Sequence, residues 1–286
     1  MVAAFAAACE TPTQRADHLA EHTGLHRELL VGASFHHVAY LRLSSAGPLL
    51  VFIEGDGSPW TGGGREIAAD PTPQQPLALE LAARTAGAVL YLGRPCYLGL
   101  ATAAECHPSD WTMGRYSPEV VRSLAVATGR IALEHDFREV ILIGYSGGGT
   151  LAQLMAPQVA GLRAVVTLSA NLDVRAWTAY HGYLPLSGSL DPADSPPLPA
   201  GIIEIHLVGG QDRNVPPALL DRYLTRHAGA QVWTFDAFDH GCCWQREWPA
   251  LLPRIMTQLD AAPAAQAHPD GETRLRSAAP REPPGH

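Results

Sequence analysis

Apolar runs alternate with segments of helical periodicity along most of this chain. Unbroken apolar runs, of which 139–144 is the clearest, are typical of strands buried on both faces of a sheet. Between the runs, apolar residues recur every three or four positions, and the segment 117–135 opens with Ser117 and Pro118, a sound start for a helix. The predicted strands are 36–43, 48–57, 88–93, 139–144, 163–170, 201–210 and 230–238, and the predicted helices are 13–23, 76–88, 117–135, 150–160, 216–228 and 246–260. This alternation predicts an α/β fold with a mostly parallel central sheet flanked by helices on both faces.

Three segments do not fit this alternation. Residues 171–200 are rich in Pro, Ser, Asp and aromatic residues, and a loop of this length is usually functional, so we expect one domain over 13–260 with 171–200 as a lid-like insertion. Residues 261–286 have no periodicity, which predicts a disordered tail. Residues 1–12 form a short alanine-rich run that meets Cys9, as in a truncated lipoprotein-like signal, although no basic residue precedes it. Export and a cytoplasmic location are therefore equally expected.

Composition narrows the class of partner. The formal net charge is −8 and no run of Lys or Arg stands out, which argues against a surface for nucleic acid or anionic membrane. No stretch of about 18 uninterrupted apolar residues occurs, so no transmembrane helix is expected. With 47% hydrophobic residues the chain can bury a sizeable core. The expected partner is a small molecule, and the sequence leaves the oligomeric state undetermined.

The cysteines bear on the redox compartment. Cys96 and Cys106 flank a loop-like stretch, where they form either a disulfide in an oxidising compartment or two free buried thiols. The sequence does not decide between these alternatives. Cys242 and Cys243 are adjacent and belong to no CxxC pair, so we predict that they fill apolar space as small side chains.

Three histidines at a spacing of four residues are candidate metal ligands. His18, His22 and His26 could share one face of a helix, but Gly24 interrupts that face. No carboxylate or cysteine completes a ligand set at the spacing of a metal site. We therefore predict a solvated helix face and no metal site.

The chemistry centres on residues 144–148, which read "GYSGG" and fit G-x-S-x-G between a predicted strand and a predicted helix. Such a turn lifts the hydroxyl of Ser146 above the sheet, where the N-terminus of the next helix directs free N–H groups at the same spot. A phosphate-binding loop of the Walker type would need a Gly-Lys-Ser/Thr ending, and no lysine is present here. A dinucleotide fingerprint would need G-x-G-x-x-G, which the stretch lacks.

At this motif the sequence resembles the α/β-hydrolase superfamily, over roughly residues 35–260. The resemblance implies a nucleophile, an acid and a histidine in that order along the chain, and hence Ser146, Asp212 and His240. Asp212 follows the apolar strand "EIHLVGG" and precedes Val-Pro, and His240 precedes a glycine after the last predicted strand. Asp173, which follows the strand after the elbow helix, is the alternative acid.

The same resemblance implies two N–H donors for an oxyanion. The N–H of Gly147 is one, and the loop after the third predicted strand supplies the other, with Asp56 preferred and Gly57 next. Many relatives carry His-Gly-x at this loop, so an aspartate here is a departure. Because a carboxylate pointing inward would repel an oxyanion, we expect the Asp56 side chain to turn away onto Arg94 or Arg115.

The expected activity is that of a serine hydrolase that cleaves a carboxylic ester of a small or medium-sized substrate through an acyl-enzyme intermediate, without metal or cofactor. A peptidase or amidase, an acyltransferase, and a non-catalytic binding protein on the same scaffold are the alternatives. Trp60, Tyr145 and Trp177 are the predicted substrate-binding residues. Other aromatic residues near the predicted active side either wall a pocket or pack the insertion onto the sheet; they are Trp111, Tyr180 and Tyr183.

Overall fold

The computed structural model describes residues 10–45 and 47–261. These residues contain strands β1 (His26–Val31), β2 (His36–Arg42), β3 (Leu49–Ile53), β4 (Trp60–Thr61), β5 (Glu66–Ile67), β6 (Val89–Leu92), β7 (Val140–Tyr145), β8 (Leu162–Leu168), β9 (Ile203–Gly209) and β10 (Gln231–Phe235). The helices are α1 (Pro12–His22), α2 (Leu77–Ala83), α3 (Pro118–Glu134), α4 (Gly147–Met155), α5 (Val174–His181), α6 (Asp221–Arg226) and α7 (Trp244–Ala261).

Eight of the strands form one sheet in the order β1-β2-β6-β3-β7-β8-β9-β10, and β4 pairs with β5 in a separate hairpin. The pairings from β6 to β10 are all parallel, whereas β1 with β2 and β2 with β6 are antiparallel. Every residue of β3 and of β6 is buried, as in a sheet covered on both faces. The predicted α/β fold with a mostly parallel sheet is confirmed.

The helices form two packed groups around this sheet. Helix α2 contacts α1 and α7 and lies on β3 and β6, while α4 contacts α3 and lies on β7 and β8. The predicted start of α3 is confirmed: Ser117 caps it by accepting a hydrogen bond from Val120 N at 3.2 Å, and Pro118 occupies its first turn. Because parallel strands β3, β7, β8 and β9 end at the same edge, their following loops meet there.

Several elements differ from the sequence-based prediction, among them the hairpin of β4 and β5, which the sequence did not predict. Strand β1 was missed because its residues are largely exposed at the sheet edge, so they form no apolar run. The predicted helix 216–228 is a 3₁₀ turn at Pro217–Leu220 followed by α6, since the prolines at its start favour a tighter turn. The insertion 171–200 contains α5, which was not predicted.

The predicted signal-like start and the predicted disordered tail lie outside the described residues, except for 10–12 and 261. Among helices α1 to α7, none combines the length and the apolar character needed to cross a bilayer. The single domain over 13–260 stays a prediction.

Both cysteine pairs in the described residues are bonded. Cys96 and Cys106 form a disulfide with a Cα–Cα distance of 5.6 Å, which decides between the two alternatives left open by the sequence. Cys242 and Cys243 are also joined by a disulfide. The prediction that these two residues act only as small packing side chains is therefore wrong.

Replacing both Cys96 and Cys106 by alanine is expected to lower the free energy of unfolding by about 2–3 kcal/mol, because the bond closes a short loop and restricts the unfolded chain. Urea unfolding of wild type and variant measures the difference. With reductant added to both proteins, the two midpoints should coincide. Equal midpoints without reductant would contradict a stabilising role for the bond.

Candidate active site

The backbone turns sharply at Ser146, between the last residue of β7 and the first residue of α4. Ser146 has φ 51° and ψ −123°, a conformation that L-residues rarely adopt and that surrounding structure must impose. Its N–H donates to the carbonyl of Leu168 on β8 at 2.9 Å, which anchors the turn to the neighbouring strand. The turn predicted from G-x-S-x-G is therefore present in the structure.

The glycines of the motif make room for this turn. A Cβ atom at Gly144 would lie 2.4 Å from the carbonyl oxygen of Gly148. A Cβ atom at Gly148 would lie 2.1 Å from the carbonyl oxygen of Ile53, at the end of β3. Any side chain at either position would therefore push the first turn of α4 away from the sheet.

The structure brings together the three predicted catalytic residues. His240 Nε2 lies 3.0 Å from Ser146 Oγ, and His240 Nδ1 lies 2.8 Å from Asp212 Oδ2. Asp212 is 3% exposed, whereas 22% of the His240 side chain is exposed. A hydroxyl, an imidazole and a buried carboxylate thus form one continuous hydrogen-bonded chain.

Local backbone groups fix the carboxylate of Asp212. Its Oδ1 accepts hydrogen bonds from Asn214 N and Val215 N, both at 2.8 Å. Burial alone would raise the pKa of this carboxyl group, but the hydrogen bond with His240 and that from Val215 hold the pKa below its usual value. Asp212 is therefore ionised when it faces the imidazole.

Asn214 also contacts the imidazole, and sequence reasoning missed it. Its Nδ2 lies 3.0 Å from His240 Nε2, the nitrogen that also faces Ser146 Oγ. Its carbonyl oxygen accepts from Trp177 Nε1 at 3.0 Å and pairs with His181 Nε2 at 2.8 Å, which ties α5 to the site. No local motif marks this asparagine, because its role depends on contacts with distant residues.

Asp173, the alternative acid, is engaged elsewhere. Its carboxylate caps α5 by accepting from Ala176 N at 2.8 Å and forms an ion pair with Arg222, with an Nε–Oδ2 distance of 2.5 Å. Of the two candidate acids, only Asp212 is hydrogen-bonded to His240 in the described residues.

The loop after β3 runs beside the serine. A Cβ atom on Gly55 would lie 3.3 Å from Ser146 Cβ, so the chain passes within van der Waals distance. The backbone N–H groups of Asp56 and Gly147 have no acceptor within the described part of the chain. These are the two N–H groups that the sequence predicts as oxyanion donors.

The Asp56 carboxylate turns onto both of the expected arginines. Oδ1 lies 2.5 Å from Arg94 Nη1 and Oδ2 lies 2.9 Å from Arg115 Nη1, and the hydroxyl of Tyr116 donates at 2.7 Å. Burial would raise the pKa of this carboxyl group, but Arg115 and Arg94 hold the pKa well below its usual range. The carbonyl oxygen of Asp56 accepts from Tyr97, so the backbone of this loop is also fixed.

Comparison with known proteins identifies the fold. No protein-family model matches the chain, and no curated protein matches it. Among solved structures it is similar to a puromycin hydrolase (TM-score 0.58, 17% identity, 84% of this chain and 40% of that chain). It is also similar to an esterase of Pyrococcus furiosus (TM-score 0.58, 12% identity, 84% of this chain and 93% of that chain). A third similar structure is a bacterial membrane phospholipase A (TM-score 0.57, 14% identity, 88% of this chain and 93% of that chain). The chain has the α/β-hydrolase fold. It spans less than half the length of the puromycin hydrolase.

A cavity of about 890 Å³ opens at the carboxyl edge of the α/β-hydrolase sheet. Ser146 and His240 line it together with the three predicted substrate-binding residues, Trp60, Tyr145 and Trp177. The Tyr145 ring lies 5.3 Å from the His240 ring, centroid to centroid. The predicted aromatic residues therefore surround the predicted nucleophile.

The other three aromatic residues singled out in the sequence lie in different places: one lines the cavity, one is in the core and one is on the surface. Tyr183 lines the cavity and contacts Trp177, with ring centroids 5.4 Å apart. Trp111 is buried and donates its indole N–H to Ala68 O at 3.2 Å, so it packs the core. Tyr180 is exposed and does not line the cavity of the described residues.

The described residues contain no group of three or more His, Cys, Asp or Glu side chains placed to hold a metal ion. The His18 ring contacts the carboxylate of Glu10, and the His22 ring contacts the carbonyl oxygen of His18.

Proposed function

We propose that this protein is a serine hydrolase that cleaves a carboxylic ester of a small or medium-sized substrate through an acyl-enzyme intermediate. The observation that carries the proposal is the hydrogen-bonded chain from Asp212 through His240 to the hydroxyl of Ser146. A serine hydroxyl needs a base within hydrogen-bond reach, and the base needs a group that fixes its orientation.

In this mechanism His240 Nε2 accepts the proton of Ser146 as Oγ attacks the ester carbonyl. The carboxylate of Asp212 holds Nδ1–H and stabilises the imidazolium that forms. The N–H groups of Gly147 and Asp56 bind the oxyanion, and each donor lowers the barrier by about 3 kcal/mol. The imidazolium then protonates the leaving alcohol, and water releases the acyl group by the same steps.

Asp56 is suited to this role because its side chain is held away from the oxyanion. Arg94, Arg115 and Tyr116 all bind its carboxylate, so only its N–H group faces the reacting carbonyl in this mechanism. A free carboxylate beside a developing negative charge would raise the barrier.

The known relatives in structure support hydrolysis but differ in the bond cleaved. They include an esterase, a phospholipase A and a puromycin-hydrolysing peptidase. The ester is preferred here because its alcohol leaves more readily than an amine. An amidase would release p-nitroaniline from an acyl anilide at a measurable rate, whereas the proposed esterase would cleave only the matching p-nitrophenyl ester. An acyltransferase would form product faster with an added alcohol.

We also infer an oxidising compartment. The disulfide between Cys96 and Cys106 closes a loop within the domain, and such bonds persist where thiols are not kept reduced. Of the two locations expected from the sequence, export is therefore the one that we propose.

A fluorophosphonate probe tests the nucleophile without knowledge of the substrate. We expect one covalent adduct, mapped by peptide mass spectrometry to Ser146, and none in Ser146→Ala. Ser58 lines the same cavity and is the matched control, so Ser58→Ala should label like wild type. Labelling that persists in Ser146→Ala, or a folded wild-type protein that does not label, would contradict the proposal.

A further inference from the structure

Arg115 has a hydrogen-bonding capacity that its contacts in the protein do not use. Its Nε–H donates to Thr112 O at 2.7 Å and its Nη1 donates to Asp56 Oδ2 at 2.9 Å. The third nitrogen, Nη2, has no partner among the described residues, and it is not one of the polar atoms sealed from solvent. Arg115 is 5% exposed and lines the cavity that contains Ser146, so this spare donor is accessible from the cavity.

The charge around Asp56 is not balanced. Two guanidinium groups, of Arg94 and Arg115, face one carboxylate, so two positive charges and one negative charge leave one positive charge. Both arginine side chains are more than nine-tenths buried, at 1% and 6% exposure, where water screens this charge poorly. A buried guanidinium with an unused N–H donor favours a charge-assisted hydrogen bond to a carboxylate.

The two arginines differ in their access to a ligand. Arg94 Nη1 binds Asp56 and its Nη2 donates to Arg115 O at 3.1 Å, while the Tyr97 and Tyr116 rings cover its guanidinium. Arg94 does not line the cavity formed by the described residues. Arg94 therefore holds Asp56 and Arg115 from the side away from the cavity. Of the two arginines, only Arg115 can contact a molecule bound in the cavity.

Among the described residues, Glu54 and Asp56 are the acidic residues that line the cavity. The two carboxylate oxygens of Glu54 accept hydrogen bonds from the backbone N–H groups of Gly55 and Ala78, each at 3.0 Å. Burial raises the pKa of its carboxyl group to about 7, so near neutral pH it carries only part of a negative charge. Glu54 thus offsets only part of the charge at Arg115.

We propose that Arg115 forms a carboxylate-binding subsite beside the oxyanion loop, so that the preferred substrates are esters that carry a free carboxylate. The proposal rests on the proposed ester hydrolase and names its substrate class. The carboxylate belongs either to the acyl part, as in a monoester of a dicarboxylic acid, or to the alcohol part. In both cases Nη2 of Arg115 donates to the substrate carboxylate while Nη1 keeps its bond with Asp56.

The test compares matched substrates. The acyl arm uses the monomethyl esters of succinic, glutaric and adipic acid, each against the methyl ester of the corresponding monoamide, which has the same length and no charge. The alcohol arm uses 4-acetoxybutanoate and 6-acetoxyhexanoate against their amides. We expect wild-type kcat/KM to favour the carboxylate by about tenfold or more in one arm, since a hydrogen bond to a charged group discriminates on that order.

Variants of the two arginines distinguish substrate binding by Arg115 from mere support of the Asp56 carboxylate. Arg115→Gln should remove the preference, lowering the carboxylate-to-amide ratio by about tenfold or more, while Arg115→Lys should keep part of it. In Arg94→Gln both rates should fall together and the ratio should stay as in wild type, because Arg94 acts only through Asp56.

Two outcomes would overturn the subsite. One is a wild-type enzyme that cleaves the neutral esters as well as the charged ones, a result that needs no variant and is unaffected by folding defects. The other is an Arg115→Gln variant that loses both rates equally, which would make Arg115 a support for Asp56 like Arg94. If wild type cleaves neither class and Ser146 does not label, the proposed hydrolase itself fails instead.

Discussion

Replacement of Ser146 by alanine is expected to lower kcat for a simple ester by about four to six orders of magnitude while the fold stays intact. The hydroxyl is the only group of this residue that reaches His240, and its removal leaves the oxyanion donors and the cavity in place. Release of p-nitrophenol from p-nitrophenyl butyrate measures the rate. Urea unfolding of the variant should match that of wild type.

The same measurement on His240→Ala and on the double variant tests whether the two residues act as a unit. Each single variant removes the same proton transfer, so we expect the double variant to be no more than about tenfold slower than Ser146→Ala. If the rate loss of the double variant equals the product of the two single losses, the serine and the histidine act independently. A Ser146→Ala variant that keeps a tenth or more of the wild-type kcat would exclude this serine as the nucleophile.

Substitution of Gly148 by alanine is expected to destabilise the protein by more than about 2 kcal/mol and to abolish hydrolysis. The added Cβ would lie 2.1 Å from the carbonyl oxygen of Ile53 and 2.5 Å from that of Glu54. Both are backbone atoms of the segment that leads to the proposed oxyanion donor, so neither can move without displacing that loop. Urea unfolding and ester hydrolysis report the two effects.

Gly129 is the matched control for this substitution. It lies within α3, and a Cβ atom there would meet nothing within 4 Å. Gly129→Ala should therefore raise the free energy of unfolding by up to about 1 kcal/mol through helix propensity and leave hydrolysis unchanged. If Gly148→Ala unfolds at the same urea concentration as wild type, the close approach of α4 to β3 is wrong.

Local signals explain why Ser146 could be found from sequence. The strand, the turn and the helix that surround it lie within about twenty consecutive residues, and each is encoded by nearby apolar runs and glycines. Asp212 and His240 were predicted from the family resemblance, which places the acid and the histidine in loops after later strands. In the structure these loops follow β9 and β10. Such positions are predictable because parallel strands all end at one edge of the sheet.

Other residues of the site carry no local signal. Asn214 is recognised only by its contacts with His240, Trp177 and His181, the last two of which belong to a helix that the sequence did not predict. The unused donor of Arg115 becomes evident only once Asp56 and the cavity are placed around it.

The α/β alternation and the sharp turn at Ser146 follow from the sequence alone, because each depends on neighbours a few residues away. The order of the acid and the histidine was implied by the family resemblance. The folded structure is needed to show that Ser146 Oγ and His240 Nε2 lie 3.0 Å apart, although the two residues are separated by 94 positions in the chain. It also decided that Asp56 engages both arginines and that the adjacent Cys242 and Cys243 are bonded. These features depend on how distant segments pack, which the free energy of the whole core sets and no short stretch of sequence encodes.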